Sequence, residues 1–289
     1  MSLGARIFIM MCRKSDKKRD KGLTVPPGVE TQCGISYGSF GKWSLLDVYR
    51  PKSVEGKLPV IVSFHGGGWV YGDKEVYRYY CMELAKRGFA VVNYNYRLAP
   101  KYRHPAPLED TNAVFSWIIE NKNRFGFDTD NIFAVGDSAG ATGIALYACI
   151  LTSPSYAANY SFKPPAGLKI KGLALNCGIY DNEKRFGGAK RLDFVSKESF
   201  KKSLSEMTVC KHITEDFPPC FVMTANADDL SVESPPFVKI LGEKGVRHIY
   251  REYGTDDHRL YHVFHCDARS EDAARVNDDE CSFFRELMG

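Results

Sequence analysis

Gly136-Asp137-Ser138-Ala139-Gly140 places a serine with a glycine two positions to either side. In a sharp strand-to-helix turn, that spacing gives room for strained backbone at the serine and leaves its hydroxyl exposed. A helix beginning at Ala139 also aims free N–H groups and the positive end of its dipole at the same point. The chemistry this arrangement suits is nucleophilic attack on an acyl carbonyl. Upstream, His65-Gly66-Gly67-Gly68-Trp69 follows directly on an apolar run. Acyl transfer develops negative charge on an oxygen, and residues without side chains let backbone N–H groups approach it closely. Gly67, Gly68 and Ala139 are the expected donors, with His65 holding the loop rather than acting as a base.

A serine hydroxyl needs an imidazole to take its proton and a carboxylate to fix the tautomer and stabilise the imidazolium. Asp228 and Asp229 stand just past the apolar run 218–224, and either could turn toward such a site. Of the seven histidines, His258, His262 and His265 follow the last predicted strand, where a base is required.

These residues must be positioned by a scaffold. The runs 58–64 and 89–94 are continuously apolar, as strands buried on both faces are. Further strands are expected over 43–49, 131–135, 170–175, 218–224 and 248–253, and helices over 75–87, 108–123, 139–152, around 236–244 and from about 267 onward. Strands alternating with helices predict an α/β fold, a mostly parallel sheet covered on both faces, with its site at the carboxyl ends of the strands. Residues 1 to about 40 show no clear periodicity and read as a connector punctuated by Pro26, Pro27 and Gly28. The polar stretch 182–211 is long for a plain connection, so a lid insertion and a surface excursion both fit it.

Composition narrows the classes. At 289 residues, with 44% hydrophobic and 26% charged residues, the chain suits one globular domain rather than a disordered or fibrous one. A net charge of +4, with Lys and Arg spread along the chain, does not indicate a nucleic-acid partner. The one basic run, 13–21, is interrupted by Asp16 and Asp20 and reads as a solvated tail. Nine scattered cysteines without CxxC spacing predict free thiols, no zinc site and a reducing, cytoplasmic compartment. The apolar stretch 7–12 is too short to span a bilayer, so no membrane span is expected.

With these motifs in hand, the sequence resembles the hormone-sensitive-lipase-like branch of the α/β-hydrolases over roughly residues 43 to 287. The resemblance is carried by 65–69, by Tyr96-Arg97-Leu98-Ala99-Pro100 with Pro105-Ala106-Pro107-Leu108-Glu109-Asp110, by 136–140, and by acid and base segments in the order serine, acid, histidine. In that family the acid commonly opens an Asp-x-Leu step, reproduced by Asp228-Asp229-Leu230, and the base precedes a small residue and Phe, nearly matched by His262-Val263-Phe264. The resemblance therefore implies Ser138, His262 and Asp228 as a catalytic triad. It implies a serine esterase of short- to medium-chain carboxylic esters that takes a small-molecule ester and needs no metal or organic cofactor. Arg97 is expected to be structural. Ala141 and Val263 stand where the family often has glycine, and no pair of amphipathic helices precedes Trp43. Residues 1–42 are thus an N-terminal segment offering at most a reduced cap, and 43–289 the hydrolase domain. A homo-oligomer is compatible with the sequence. A non-catalytic small-molecule-binding protein on the same scaffold, or a carbohydrate-ester deacetylase, are the other readings.

Overall fold

The computed structural model describes residues 1–189 and 192–288. Its elements, in chain order, are α1 (Leu3–Asp20), β1 (Val29–Ser36), β2 (Leu45–Pro51), β3 (Leu58–Phe64), α2 (Lys74–Lys86), β4 (Ala90–Tyr94), α3 (Ala106–Glu120) and the single turn α4 (Lys122–Phe125). After these come β5 (Phe127–Asp137), α5 (Ala139–Thr152), the single turn α6 (Pro154–Ala157), β6 (Gly172–Asn176), α7 (Asn182–Phe186), α8 (Phe200–Glu206), β7 (Cys220–Ala225), α9 (Ser234–Glu243), β8 (His248–Tyr253) and α10 (Glu271–Glu286).

One eight-stranded sheet runs in the order β1-β2-β4-β3-β5-β6-β7-β8. The pairs β1/β2 and β2/β4 are antiparallel and the rest parallel. Side chains alternate along each strand, so neighbours in sequence enter different apolar layers. Val60, Val62 and Phe64 join the layer beneath α3, α5 and α9, whereas Ile61 joins the layer beneath α2 and α10. Both faces of β3 are therefore dry, which is why its sequence shows no polar alternation. This is the α/β-hydrolase fold, with every parallel strand delivering its carboxyl end to one rim.

The N-terminal segment differs from the expected connector. Residues 3–20 form an 18-residue helix capped by Ser2, whose side chain accepts from Ala5 N. None of its residues is buried, and polar contacts tie its inner face to the body, so no buried apolar stripe announces it. Tyr71 Oη donates to Asp16 at 2.7 Å, Arg19 donates to the Val76 carbonyl at 2.6 Å, and Ser2 N donates to Asp193 at 2.9 Å. β1 then adds an edge strand, with a register shift between Gln32 and Ile35. That irregularity and its solvent-facing side removed the alternation by which a strand is read. Within 182–211, two short helices lie where a lid or excursion was expected, and residues 190 and 191 lie outside the described residues.

Candidate active site

Ser138 sits at the turn from β5 into α5 with φ 53° and ψ −120°, a strained conformation for a residue with a side chain. The glycines either side make that turn possible by close approach. A Cβ on Gly140 would run into the Phe64 carbonyl oxygen, and one on Gly136 into that of Gly140. Ser138 N donates to the Asn176 carbonyl at 2.8 Å, tying the turn to the end of β6. Among the described residues, the non-glycine positions with positive φ are Trp69, Ser138, Cys177 and Val263, each in a loop at this rim. Strained backbone concentrates where a fold holds functional groups in place.

The loop after β3 wraps tightly. Gly67 has φ 113°, and a Cβ there would collide with the Tyr71 carbonyl, which rules out any other residue. Val70 N and Tyr71 N turn back to the Gly67 oxygen at 3.2 and 3.0 Å. The N–H groups of Gly67 and Gly68 donate no backbone hydrogen bond among the described residues. That of Ala139, the first residue of α5, has no acceptor within its helix. His65 is fully buried and its Nδ1 meets the Gly66 oxygen at 2.8 Å, while Tyr96 stacks on its ring and donates to its carbonyl at 2.8 Å. Burial pushes the His65 imidazole down to about 4, so it stays neutral and holds the loop. Arg97 is likewise tied up, donating to Asp110 at 2.9 Å and to Glu109 at 2.7 Å, which pins the segment after β4 to α3.

Asp228 follows β7 and Val263 follows His262 after β8. His262 Nδ1 lies 2.8 Å from Asp228 Oδ2, and Leu230 N donates to the other oxygen at 2.8 Å. Burial would raise the Asp228 carboxyl, but the hydrogen bond and charge of His262 and the Leu230 N–H hold it below its usual value. Asp229 is exposed, so of the two adjacent acids it is Asp228 that turns inward. The other two histidines go elsewhere. His258 pairs with Asp272 at 2.7 Å on the surface, and His265 is buried among apolar neighbours, which push its imidazole down to about 3.

Cys177, the residue after Asn176, has its thiol grouped with Asp228 and His262 within 4.8 Å. The Ser138 amide is bonded to the Asn176 carbonyl, so the serine turn is tied to the end of β6, one residue before the Cys177 thiol that lies beside Asp228 and His262. The Asp228 carboxylate is the acceptor at the centre of this group, held by His262 and by the Leu230 N–H. Among the described residues no hydrogen bond joins His262 to Ser138 Oγ. Burial and the nearby carboxylate push the Cys177 thiol well above its ordinary value.

Three contributors were not foreseen. Tyr77, in α2, accepts from Gly66 N at 3.0 Å and donates to Asp137 Oδ2 at 2.8 Å, joining the glycine loop to the serine turn. Burial pushes the Asp137 carboxyl up to about 6, against the Tyr77 hydrogen bond and the charge of His262. Glu280, in α10, accepts from Asn176 at 3.1 Å and from Tyr80 at 2.9 Å, and burial pushes it up to about 7. The sole sequence signal was an acid at position 137 closing an apolar strand. Finally, Phe8 of α1 rests against Gly68, so the N-terminal helix lies over the glycine loop, with a cavity of about 390 Å³ between α1 and the loop's far side.

Residues 46–234 match the family model described as BD-FAE. Esterase LipC of Mycobacterium tuberculosis is 30% identical over 206 residues, 69% of this chain and 48% of that protein. Carboxylesterase NlhH of the same species is 35% identical over 137 residues, 46% of this chain and 43% of that protein. The chain thus spans about half the length of these curated relatives. An inhibited esterase B from Lactobacillus rhamnosis superposes with a TM-score of 0.90 at 24% identity, covering 99% of this chain and 96% of that one, a likeness of fold. Since the family match takes in more than half of the 289 residues, the chain belongs to the BD-FAE family, in the hormone-sensitive-lipase-like branch of the α/β-hydrolases.

Proposed function

We propose that this protein hydrolyses carboxylic esters of small molecules with short to medium acyl chains through an acyl-enzyme on Ser138. His262 accepts the Ser138 proton as Oγ bonds to the ester carbonyl carbon, and Asp228 orients the ring and balances its charge. The Gly67, Gly68 and Ala139 amides stabilise the oxyanion. The C–O bond to the alcohol breaks, and the alcohol leaves with the proton held by His262. Water, deprotonated by the same imidazole, attacks the acyl carbon and releases the acid. The observation that carries this reading is the 2.8 Å Asp228–His262 pair, at the same sheet rim as a strained serine and a loop of uncommitted amides. It also weighs against a purely binding protein, which has no use for an oriented imidazole. The inhibited state of the Lactobacillus enzyme supports the same chemistry by analogy.

The reading gives α1 and residues 182–211 the part of a small cap. Phe8 lies against Gly68, and Phe194 lies 6.4 Å from the Trp69 ring. Ser138→Ala removes the nucleophile while its backbone turn remains. Hydrolysis of p-nitrophenyl butyrate should fall by at least about 10⁴-fold with thermal stability retained. A Ser138→Ala protein hydrolysing at the wild-type rate contradicts the assignment.

A further inference from the structure

The face of α1 turned away from the protein is as ordered as the one turned toward it. Among the large apolar side chains of the helix, Leu3, Ile7, Met10 and Met11 are 74%, 46%, 65% and 64% exposed. Along the same line, the exposed residues become Lys14, Lys17 and Lys18, with Lys21 at the C-cap. At 3.6 residues per turn these eight positions fall within an arc of about 120°. The inner arc holds Ala5, Ile9, Cys12, Asp16 and Arg19. The two acids of the segment, Asp16 and Asp20, are both engaged by Arg19 on that inner side, at 3.0 and 2.7 Å. The outer face therefore carries cations and apolar groups and no anion. Residues 1–21 bear a net charge of +5 in a chain of net +4, so the remainder is slightly acidic.

We infer that α1 is an in-plane docking helix for an anionic lipid surface. Its N-terminal half would bury Leu3, Ile7, Met10 and Met11 in the acyl boundary, while its C-terminal half sets four lysines against the headgroups. Apolar residues on one face with lysines beside them are what interfacial helices use, and among the described residues no helix is apolar enough to cross the bilayer. Charge selects this occupant over two others. A second copy would bring two basic stripes together, and a nucleic acid would leave four exposed apolar side chains without a partner. Anchored through Ser2, Asp16 and Arg19, the helix is rigid enough to orient the whole molecule. Docking does not depend on the ester-hydrolase reading, and its test reads binding rather than turnover.

The full chain should sediment with vesicles of phosphatidylcholine containing a one-third share of phosphatidylglycerol, far less with phosphatidylcholine alone, and less again in high salt. Each lysine at an anionic surface contributes about fivefold, so Lys14→Gln with Lys18→Gln should weaken binding roughly thirtyfold. Ile7→Glu with Met11→Glu should abolish it, and both pairs should leave thermal stability unchanged. Should the glutamate pair disturb the helix, the lysine pair, whose side chains are both exposed, still decides. Absence of vesicle binding, equal binding to both vesicle types, or wild-type binding by the lysine pair would overturn the inference. So would light scattering showing a dimer that the glutamate pair dissociates, without vesicle binding.

Discussion

Tyr77→Phe deletes one oxygen atom and breaks both hydrogen bonds that couple the glycine loop to the serine turn. The Gly66 N–H loses its acceptor at 3.0 Å and the Asp137 carboxylate its donor at 2.8 Å, both in buried surroundings. An orphaned buried N–H costs about 1–3 kcal/mol and a carboxylate deprived of its donor about 1.5–3 kcal/mol. Asp137 has an escape, because its carboxyl already sits at about 6 and can take a proton. At pH 7, neutralising it costs only about 1.4 kcal/mol, so the summed loss should be about 2–4 kcal/mol. The loss should be greater at pH 8 than at pH 6, since protonation is dearer there. Gly67 and Gly68 adjoin the freed amide, and in the proposed mechanism their N–H groups stabilise charge that exists only in the transition state. The expected result is a kcat lowered about tenfold to a hundredfold with KM nearly unchanged, short of the effect of deleting a donor outright. Steady-state kinetics on p-nitrophenyl butyrate and urea denaturation at the two pH values measure these quantities. If Tyr77→Phe matches wild type in kcat and stability, the coupling of loop and turn is not what holds the amides in place.

Asp228→Asn keeps the shape of the pair but withdraws the charge that fixes the His262 tautomer, so kcat should fall by about 10⁴-fold. The folded Asp228 carboxyl lies below its unfolded value, so its stabilising contribution is full above about pH 4 and lost as pH falls through the folded value. Asp228→Asn should accordingly show a shallower loss of stability in that acid range, as read by thermal melts. Glu280 carries the opposite sign. Its folded value of about 7 lies above the unfolded one, so the wild-type protein loses stability as pH rises from about 4.5 to 7. Glu280→Gln should gain about 3 kcal/mol relative to wild type across that window. The Asn176 Oδ1, buried without a partner among the described residues, is free to accept from the new amide.

What the sequence made legible divides along physical lines. β3, α5 and β8 begin and end where the pattern puts them, at 58–64, 139–152 and 248–253. The first two are decided by local composition, one run buried on both faces and one buried through nearly all its length. α1 and β1 escaped because their stability is not written as apolar periodicity. The helix is held by Ser2, Asp16 and Arg19, and the strand is an edge with an interrupted register. At the site, Ser138, Gly67 and Gly68 are legible because tight turns leave a glycine signature. Chain order and the Asp-x-Leu step singled out Asp228, and the structure brings it against His262. Tyr77 and Glu280 had no such signature, since Tyr77 reaches Asp137 across 60 residues and Glu280 reaches Asn176 across 104. A tyrosine early in an amphipathic helix and a glutamate late in another look the same whether they face water or a glycine loop.

The most direct test of the central claim is peptide mapping after exposure to an alkyl phosphonate ester, which forms a stable adduct only with an activated hydroxyl. One adduct per chain, on the peptide bearing Ser138, absent from Ser138→Ala and strongly slowed in His262→Ala, is the predicted outcome. An unlabelled wild-type protein, or an adduct on a different residue, would contradict it.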